Sequence, residues 1–287
     1  MRHFSVLAAT AALLSATHVW AAGPVSVVAA ENFYGDVAQQ VGGADVSVTS
    51  ILNNPDEDPH LFEASPSVAR AMSVAHIVIY NGVGYDPWVA KLLGATRSAD
   101  RRIIVVGELI GKKAGDNPHI WYDPTTMLAF AQTMADDLSA VDPAHREDYE
   151  KRLAHFRQSI GPLQVKIAML RERLAGTPVT ATEPVLGYMF ARLGMTVRNN
   201  SFQLAVMNNT EPSASDIVAF ENDLKSRKVK LLAYNNQAFD PIAAHMMELA
   251  KVSHIPVVGA AETEPPGKSY QEWMAAELNA LDHALPH

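Results

Sequence analysis

Two histidines occupy near-matching loops far apart in this chain, His60 in "NNPDEDPHLFEASPS" and His119 in "AGDNPHIWYDPTTM". Proline fixes its own φ and cannot continue a helix, so each imidazole is set by rigid loop backbone rather than by a packed helical face. A ring held that way suits a ligand. Two carboxylates have comparable placements: Glu183 in "VTATEPVLGYMF" and Glu264 in "AETEPPG", where Glu262 stands two residues earlier and could point inward instead. Two imidazole nitrogens with two or more carboxylate oxygens make a closed shell for a divalent first-row metal. Because a metal displaces protons from imidazoles whose ordinary pKa is near 6.5, such a site should weaken below about pH 6.

Each residue also has a plainer explanation. A single histidine among 11 is usually a surface or hydrogen-bonded residue. Glu183 could be a carboxylate facing the positive end of a helix, although an unpaired carboxylate between apolar neighbours is costly to bury. Glu262 and Glu264 could both be solvated. His145, His155, His245 and His254 lie on helical stretches or their ends, His76 begins a strand, and His283 and His287 belong to the tail, so none is assigned a role.

The elements that must position these residues follow from periodicity. Short Val/Ile-rich runs at residues 25–30, 46–52, 76–82 and 103–109 alternate with amphipathic segments, the signature of a parallel sheet covered on both faces. Met127, Phe130, Ala131, Met134 and Leu138 share one helical face. Residues 143–174 read as one long helix, or two joined at a kink, with Pro143 in its first turn, Gly161-Pro162 bending its middle and Gly176 as its stop. The β-α alternation then resumes at 178–183, "TVRNNSF", 229–235 and 255–262, with Ser213 or Ser215 as a cap after "EPSASD". The expected architecture is α/β in two lobes, each with a mostly parallel sheet flanked by helices, joined by one long helix. Its divisions are a leader over 1–21, a first lobe over 22–140, a linking helix over 141–176 and a second lobe over 177–287. His60, His119, Glu183 and Glu264 all fall at carboxyl ends of strands, where open α/β sheets form ligand crevices.

Composition narrows the function. With 287 residues and 48% hydrophobic content the chain can bury two modest cores, and a net charge of −8 with no basic run excludes a nucleic-acid partner. The first residues give a positive start, an apolar stretch and small residues at Ala21 and Ala22, the layout of a secretory signal peptide cleaved after Ala21. With no cysteine in the sequence, no disulfide and no lipid-bearing cysteine is expected, which points to a periplasmic protein without a lipid anchor. A secreted metal-dependent hydrolase is the alternative, but no HExxH and no GxSxG is present, and four protein ligands would leave no place for an activated water. A structural or adhesive role would require that the protein bind no metal.

In their order, "AENFYGDVAQQVGG", "DPHLFEASPS", "NPHIWYDP", the long helix, "EPVLGYMFARLGM", "NNTEPSASD" and "VVGAAETEPP" resemble the solute-binding proteins of zinc- and manganese-type metal ABC importers across essentially the whole mature chain. The resemblance implies two α/β lobes on a rigid helix, a metal held by two residues from each lobe, and a monomer that delivers to an inner-membrane ABC permease. Carried over by position, the ligands fall on His60, His119, Glu183, where many zinc-binding members have histidine, and Glu264, where an aspartate is usual. The long histidine- and acid-rich loop of many zinc members is absent. Two histidines with two carboxylates resemble the manganese-type members, so the expected cargo is Mn2+, with Zn2+ close behind because affinity order favours it.

Overall fold

The Val/Ile runs pair as their pattern requires. In a computed structural model that describes residues 23–96, 98–238 and 240–285, strands β1 (Val25–Glu31), β2 (Val46–Leu52), β3 (Ile77–Tyr80) and β4 (Arg102–Val105) form a wholly parallel sheet in the order β2-β1-β3-β4. Val27 aligns with Val48 on one side and Ile77 on the other. Helices cover both faces, so Val27, Val28, Ala29 and Ala30 are all buried, as a near-continuous apolar strand demands. A second parallel sheet repeats the order: β5 (Pro178–Ala181), β6 (Thr196–Val197), β7 (Leu232–Asn235) and β8 (Val257–Ala260) run β6-β5-β7-β8. In each lobe the strand order reverses between the first and third strands, which opens a crevice there. The expected leader over 1–21 lies outside the described residues, and among those described no helix is long and apolar enough to cross a membrane.

Two local expectations change. The run at 103–109 leaves the sheet at Val105, and Val106–Leu109 form a single helical turn. Gly107 donates its N–H to the Asn81 carbonyl at 2.9 Å and approaches so closely that a Cβ there would fall 2.3 Å from Val83 Cγ2. The linking helix is one unbroken element, Arg146–Leu174, preceded by a separate turn at Pro143–His145. Its buried stripe of Tyr149, Leu153, Phe156, Ile160, Leu163, Ile167, Leu170 and Leu174 runs straight past Pro162, whose ring is exposed. Gly176 does end the element, at φ 78°. Ser213 is the residue that caps, its hydroxyl accepting from Asp216 N–H at 3.2 Å.

One apolar cluster runs through both lobes. Phe33, on the helix after β1, lies 4.7 Å from Trp121 and 5.9 Å from Trp273, ring centre to ring centre, and Tyr122 lies 5.5 Å from Trp273. Trp273 sits on the final helix, Tyr270–Ala284. Tyr122 donates to the Ala261 carbonyl and Tyr270 to the Trp121 carbonyl, each at 2.7 Å, so this aromatic layer also sets the height of the β8 loop against the first lobe. Truncating Trp273 to alanine should therefore destabilise the protein by about 3–5 kcal/mol, as chemical denaturation would measure. Trp273→Phe should recover most of that loss.

Candidate metal centre

Each candidate side chain is held by a local device at a strand's carboxyl end. After β2 the chain makes a short turn, Pro59–Leu61, in which the Asp58 carboxylate accepts His60 N–H at 2.8 Å. Past β4, Asn117 Oδ1 accepts both the backbone N–H of His119 at 3.0 Å and its ring Nδ1–H at 2.7 Å. Since a carbonyl oxygen can only accept, this bond places a hydrogen on Nδ1 and turns Nε2 toward the cleft. Glu183 follows β5, and Glu262 follows β8. Asn235, at the end of β7, donates through Nδ2 to Glu183 Oε2 at 2.9 Å and also to Glu262 Oε1.

These devices aim four donors at one point. One ligand atom each from His60, His119, Glu183 and Glu262 lies within 4.8 Å of all the others. Glu262 Oε2 is 3.4 Å from the Nε2 of each imidazole, and all three atoms are buried without a hydrogen-bond partner. Buried polar atoms are nearly always paired, and three orphans converging on one point mark a position for a cation. The two spacings from Glu262 agree, because a tetrahedron with donors about 2.1 Å from its centre has edges of about 3.4 Å. Tyr85 packs edge-on beside both imidazoles, at 5.4 Å from His60 and 6.2 Å from His119.

Electrostatics fit the same position. Burial pushes Glu262 up, but the imidazoles of His119 and His60 outweigh it and hold the carboxyl well below the usual carboxylate range. Burial alone would lower His60; the Glu262 carboxylate, with Asp58 and Glu183 behind it, raises the imidazole to about 9. Glu183 is raised by burial and by the like charge of Glu262, with Asn235 and the two imidazoles acting against the shift. The cluster holds too much negative charge unless a cation or a proton sits among its members.

Glu264, the residue expected to complete the shell, does not join it, and Glu262 stands in its place. The backbone of Glu264 is clamped to Asn32, which accepts its N–H at 2.9 Å and donates to its carbonyl at 2.8 Å. The backbone N–H groups of Glu262 and Thr263 are meanwhile held by Gln237 Oε1. The two carboxyls therefore diverge. Burial, with Asp36 and then Glu272 as its charged neighbours, raises Glu264 to about 9 and leaves it neutral. Asn117, Asn235, Gln237 and Tyr85 were not read from the sequence; Asn235 alone carried a usable sign, its place at the carboxyl end of a strand. Of the remaining histidines, His145 and His245 bond to Asp142 and Glu221 outside the cluster, and His76 accepts Ser26 N–H.

Two α/β lobes on one helix, with polar side chains from both meeting in the cleft between them, define the class of two-lobed binding proteins. The family described as zinc-uptake complex component A, periplasmic (ZnuA), matches residues 27–284, and the chain belongs to it. The manganese ABC transporter substrate-binding lipoprotein PsaA of Streptococcus mitis is 24% identical over 91% of this chain and 89% of its own length. The iron-binding protein YfeA of Yersinia pestis is 29% identical over 61% of this chain and 57% of its own. Among solved structures, the periplasmic zinc-binding protein TroA from Treponema pallidum superposes with a TM-score of 0.78 at 17% identity, covering 92% of this chain and all (100%) of that one. The expectation of a protein without a lipid anchor is corrected by these comparisons, because PsaA and other similar relatives are named lipoproteins. An extracytoplasmic setting is what they support.

The sign of the pH dependence follows from His60. A group raised in the folded state stabilises it fully below the unfolded pKa and loses that contribution as pH rises through the folded value. In metal-free protein His60 should thus contribute a loss of up to about 3 kcal/mol of stability between pH 6.5 and about 9. Urea unfolding across that window measures it, and Glu262→Gln should remove the His60 share of the slope while leaving the share from Glu264, whose raised carboxyl ionises in the same range.

Proposed function

We propose that this chain captures a divalent transition metal, Mn2+ or Zn2+, outside the inner membrane and hands it to the permease of an ABC importer. The observation that carries this reading is the convergence of three buried, unpartnered donor atoms, Glu262 Oε2 lying 3.4 Å from each imidazole Nε2. On this reading His60, His119, Glu183 and Glu262 are the ligands, with lobes over 22–140 and 177–287 and the helix of 141–176 between them, and the protein works as a monomer. Family membership supports transport, and the manganese, iron and zinc in relatives' names support a first-row cargo.

Charge and coordination favour capture over hydrolysis. Two ionised carboxylates neutralise a divalent cation in a buried site that would otherwise carry a large desolvation penalty. Four protein donors close a tetrahedral shell and leave no vacant position for an activated water, so the protein is read as a carrier and not an enzyme. Oxygen donors are harder than imidazole, and a shell with two of them suits manganese better than three histidines would. Moving the fourth ligand from Glu264 to Glu262 leaves that donor count unchanged.

Elemental analysis of purified protein, then titration of the metal-free form with Mn2+ and Zn2+, tests the reading directly. His119→Ala and Glu262→Gln should each cost at least about a hundredfold in affinity, more than loss of an outer hydrogen-bond partner does, while Glu264→Gln should bind as the parent does. Equal losses for Glu262→Gln and Glu264→Gln would sink the ligand assignment. Glu183→His should lower the ratio of manganese to zinc affinity relative to the parent in the same buffer. A ratio that stays fixed would put Glu183 outside the shell.

A further inference from the structure

The side-chain amide of Gln237 spans the cleft. Its Oε1 accepts the backbone N–H of Glu262 and, at 3.0 Å, that of Thr263. Its Nε2 donates to Thr263 Oγ1 and, at 3.0 Å, to the carbonyl of Glu57 in the other lobe. Gln237 is itself tied to the residue that holds both carboxylates, because its backbone N–H donates to Asn235 Oδ1 at 2.9 Å. One amide therefore grips the loop that presents Glu262 and reaches the loop that presents His60.

The position of that last bond matters. Glu57 lies three residues before His60, in a loop where Asn53, Asn54, Asp56 and Glu57 are exposed and Leu61 is 73% exposed. Among the described residues, the bond from Gln237 is the one hydrogen bond between residues 53–61 and the second lobe. His60 keeps 17% of its side chain exposed, whereas His119 is fully covered. The His119 side of the cleft is tied more deeply: Asn117 Nδ2 donates to the Pro184 carbonyl at 2.7 Å, Tyr188 donates to the Asn117 carbonyl at 2.8 Å, and a Cβ at Gly187 would strike Asn117 Nδ2 at 2.7 Å. One edge of the cleft is a half-buried seam held by several contacts. The other is a solvent-facing loop tied to the second lobe by this amide and by the His60–Glu262 pair.

From this asymmetry we infer that Gln237 is the latch of the site: its bond to the Glu57 carbonyl holds the His60 loop closed, and metal leaves when that bond opens. The inference rests on the metal-capture reading for its cargo but not for its test. A neutral amide suits the task, since it adds no charge beside Glu262, and an exposed hydrogen bond is weak enough to break reversibly. Gln237 is a positioning residue and donates no atom to the metal.

Two variants separate the latch from the in-lobe contacts. Gln237→Glu keeps an acceptor for the Glu262 and Thr263 N–H groups but can no longer donate to Glu57, whereas Thr263→Val removes only the in-lobe hydroxyl partner. Hydrogen exchange of residues 54–61 in metal-free protein should be about fivefold faster in Gln237→Glu, as expected for loss of one ordinary hydrogen bond, and unchanged in Thr263→Val. Gln237→Met, of similar length and without an amide, should release Mn2+ to excess chelator about fivefold faster than the parent in stopped flow. Parent-like exchange of residues 54–61 in Gln237→Glu would overturn the latch, whatever the metal data show. A parent that binds neither Mn2+ nor Zn2+ would instead remove the proposed function, with the latch still decided by exchange.

Discussion

The Glu262 carboxylate, buried between two imidazoles at 3.4 Å each, is the interaction on which the rest of this structure depends. A carboxylate taken out of water is costly unless opposite charge and hydrogen bonds replace what water gave it. Here one oxygen receives the Asn235 amide and the other faces the two imidazole Nε2 atoms without a hydrogen-bond partner. That unfinished valence can be met by a proton on His60 or by a cation shared among the donors. Protein and metal thus compete for one set of lone pairs, which couples the folded state's proton inventory to its cargo.

Keeping such a cluster assembled without filling it requires partners that are polar but uncharged. Asn117 orients His119, and Asn235 restrains both carboxylates. A lysine or arginine in either place would neutralise the carboxylates itself and remove the reason to bind a cation. The aromatic layer of Phe33, Trp121, Tyr122 and Trp273 supplies the rigid floor, and two tyrosine hydroxyls bonded to carbonyls across the lobes carry its position to the β8 loop. Packing of this density does not deform smoothly, so the donors keep their spacing.

The parts of this arrangement legible in the sequence are those set by local rules. The Val/Ile runs paired into parallel sheets, and the two Pro-His loops delivered their imidazoles to one point, because strand periodicity and proline geometry act over a few residues. The linking helix was legible as well, since its apolar stripe outlasts the Gly161-Pro162 pair. What was not legible is settled by contacts distant in the chain. Glu262 and Glu264 stand in the same short loop, and only the clamp of Asn32 on one and Gln237 on the other decides which turns inward. The end of β4 at Val105 is likewise fixed by Gly107 meeting the carbonyl of Asn81. Asparagine and glutamine in loops are too common for their types alone to have marked Asn117 or Gln237.

The two lobes share one strand order and use it differently. In the second lobe the residues flanking the switch point between β5 and β7 are Glu183 and Asn235, so a ligand and its restraint grow directly from strand ends. In the first lobe the equivalent positions beside β1 and β3 hold Glu31 and Asn81, and the Asn81 side chain accepts from the Tyr34 hydroxyl at 2.6 Å and donates to the Pro118 carbonyl at 3.0 Å. The Asp86 carboxylate accepts from the N–H groups of Asn81 at 2.6 Å and Gly82 at 2.9 Å, and burial raises it to about 6. Glu31 beside it is pushed well above its ordinary range by burial and then by Asp86. With its switch point closed by that pair, the first lobe must present its ligands from the loops after its outer strands, β2 and β4. Glu183 therefore follows an inner strand, whereas His60, His119 and Glu262 stand on loops after outer strands. Of those two first-lobe loops, the one that carries His60 is the more exposed.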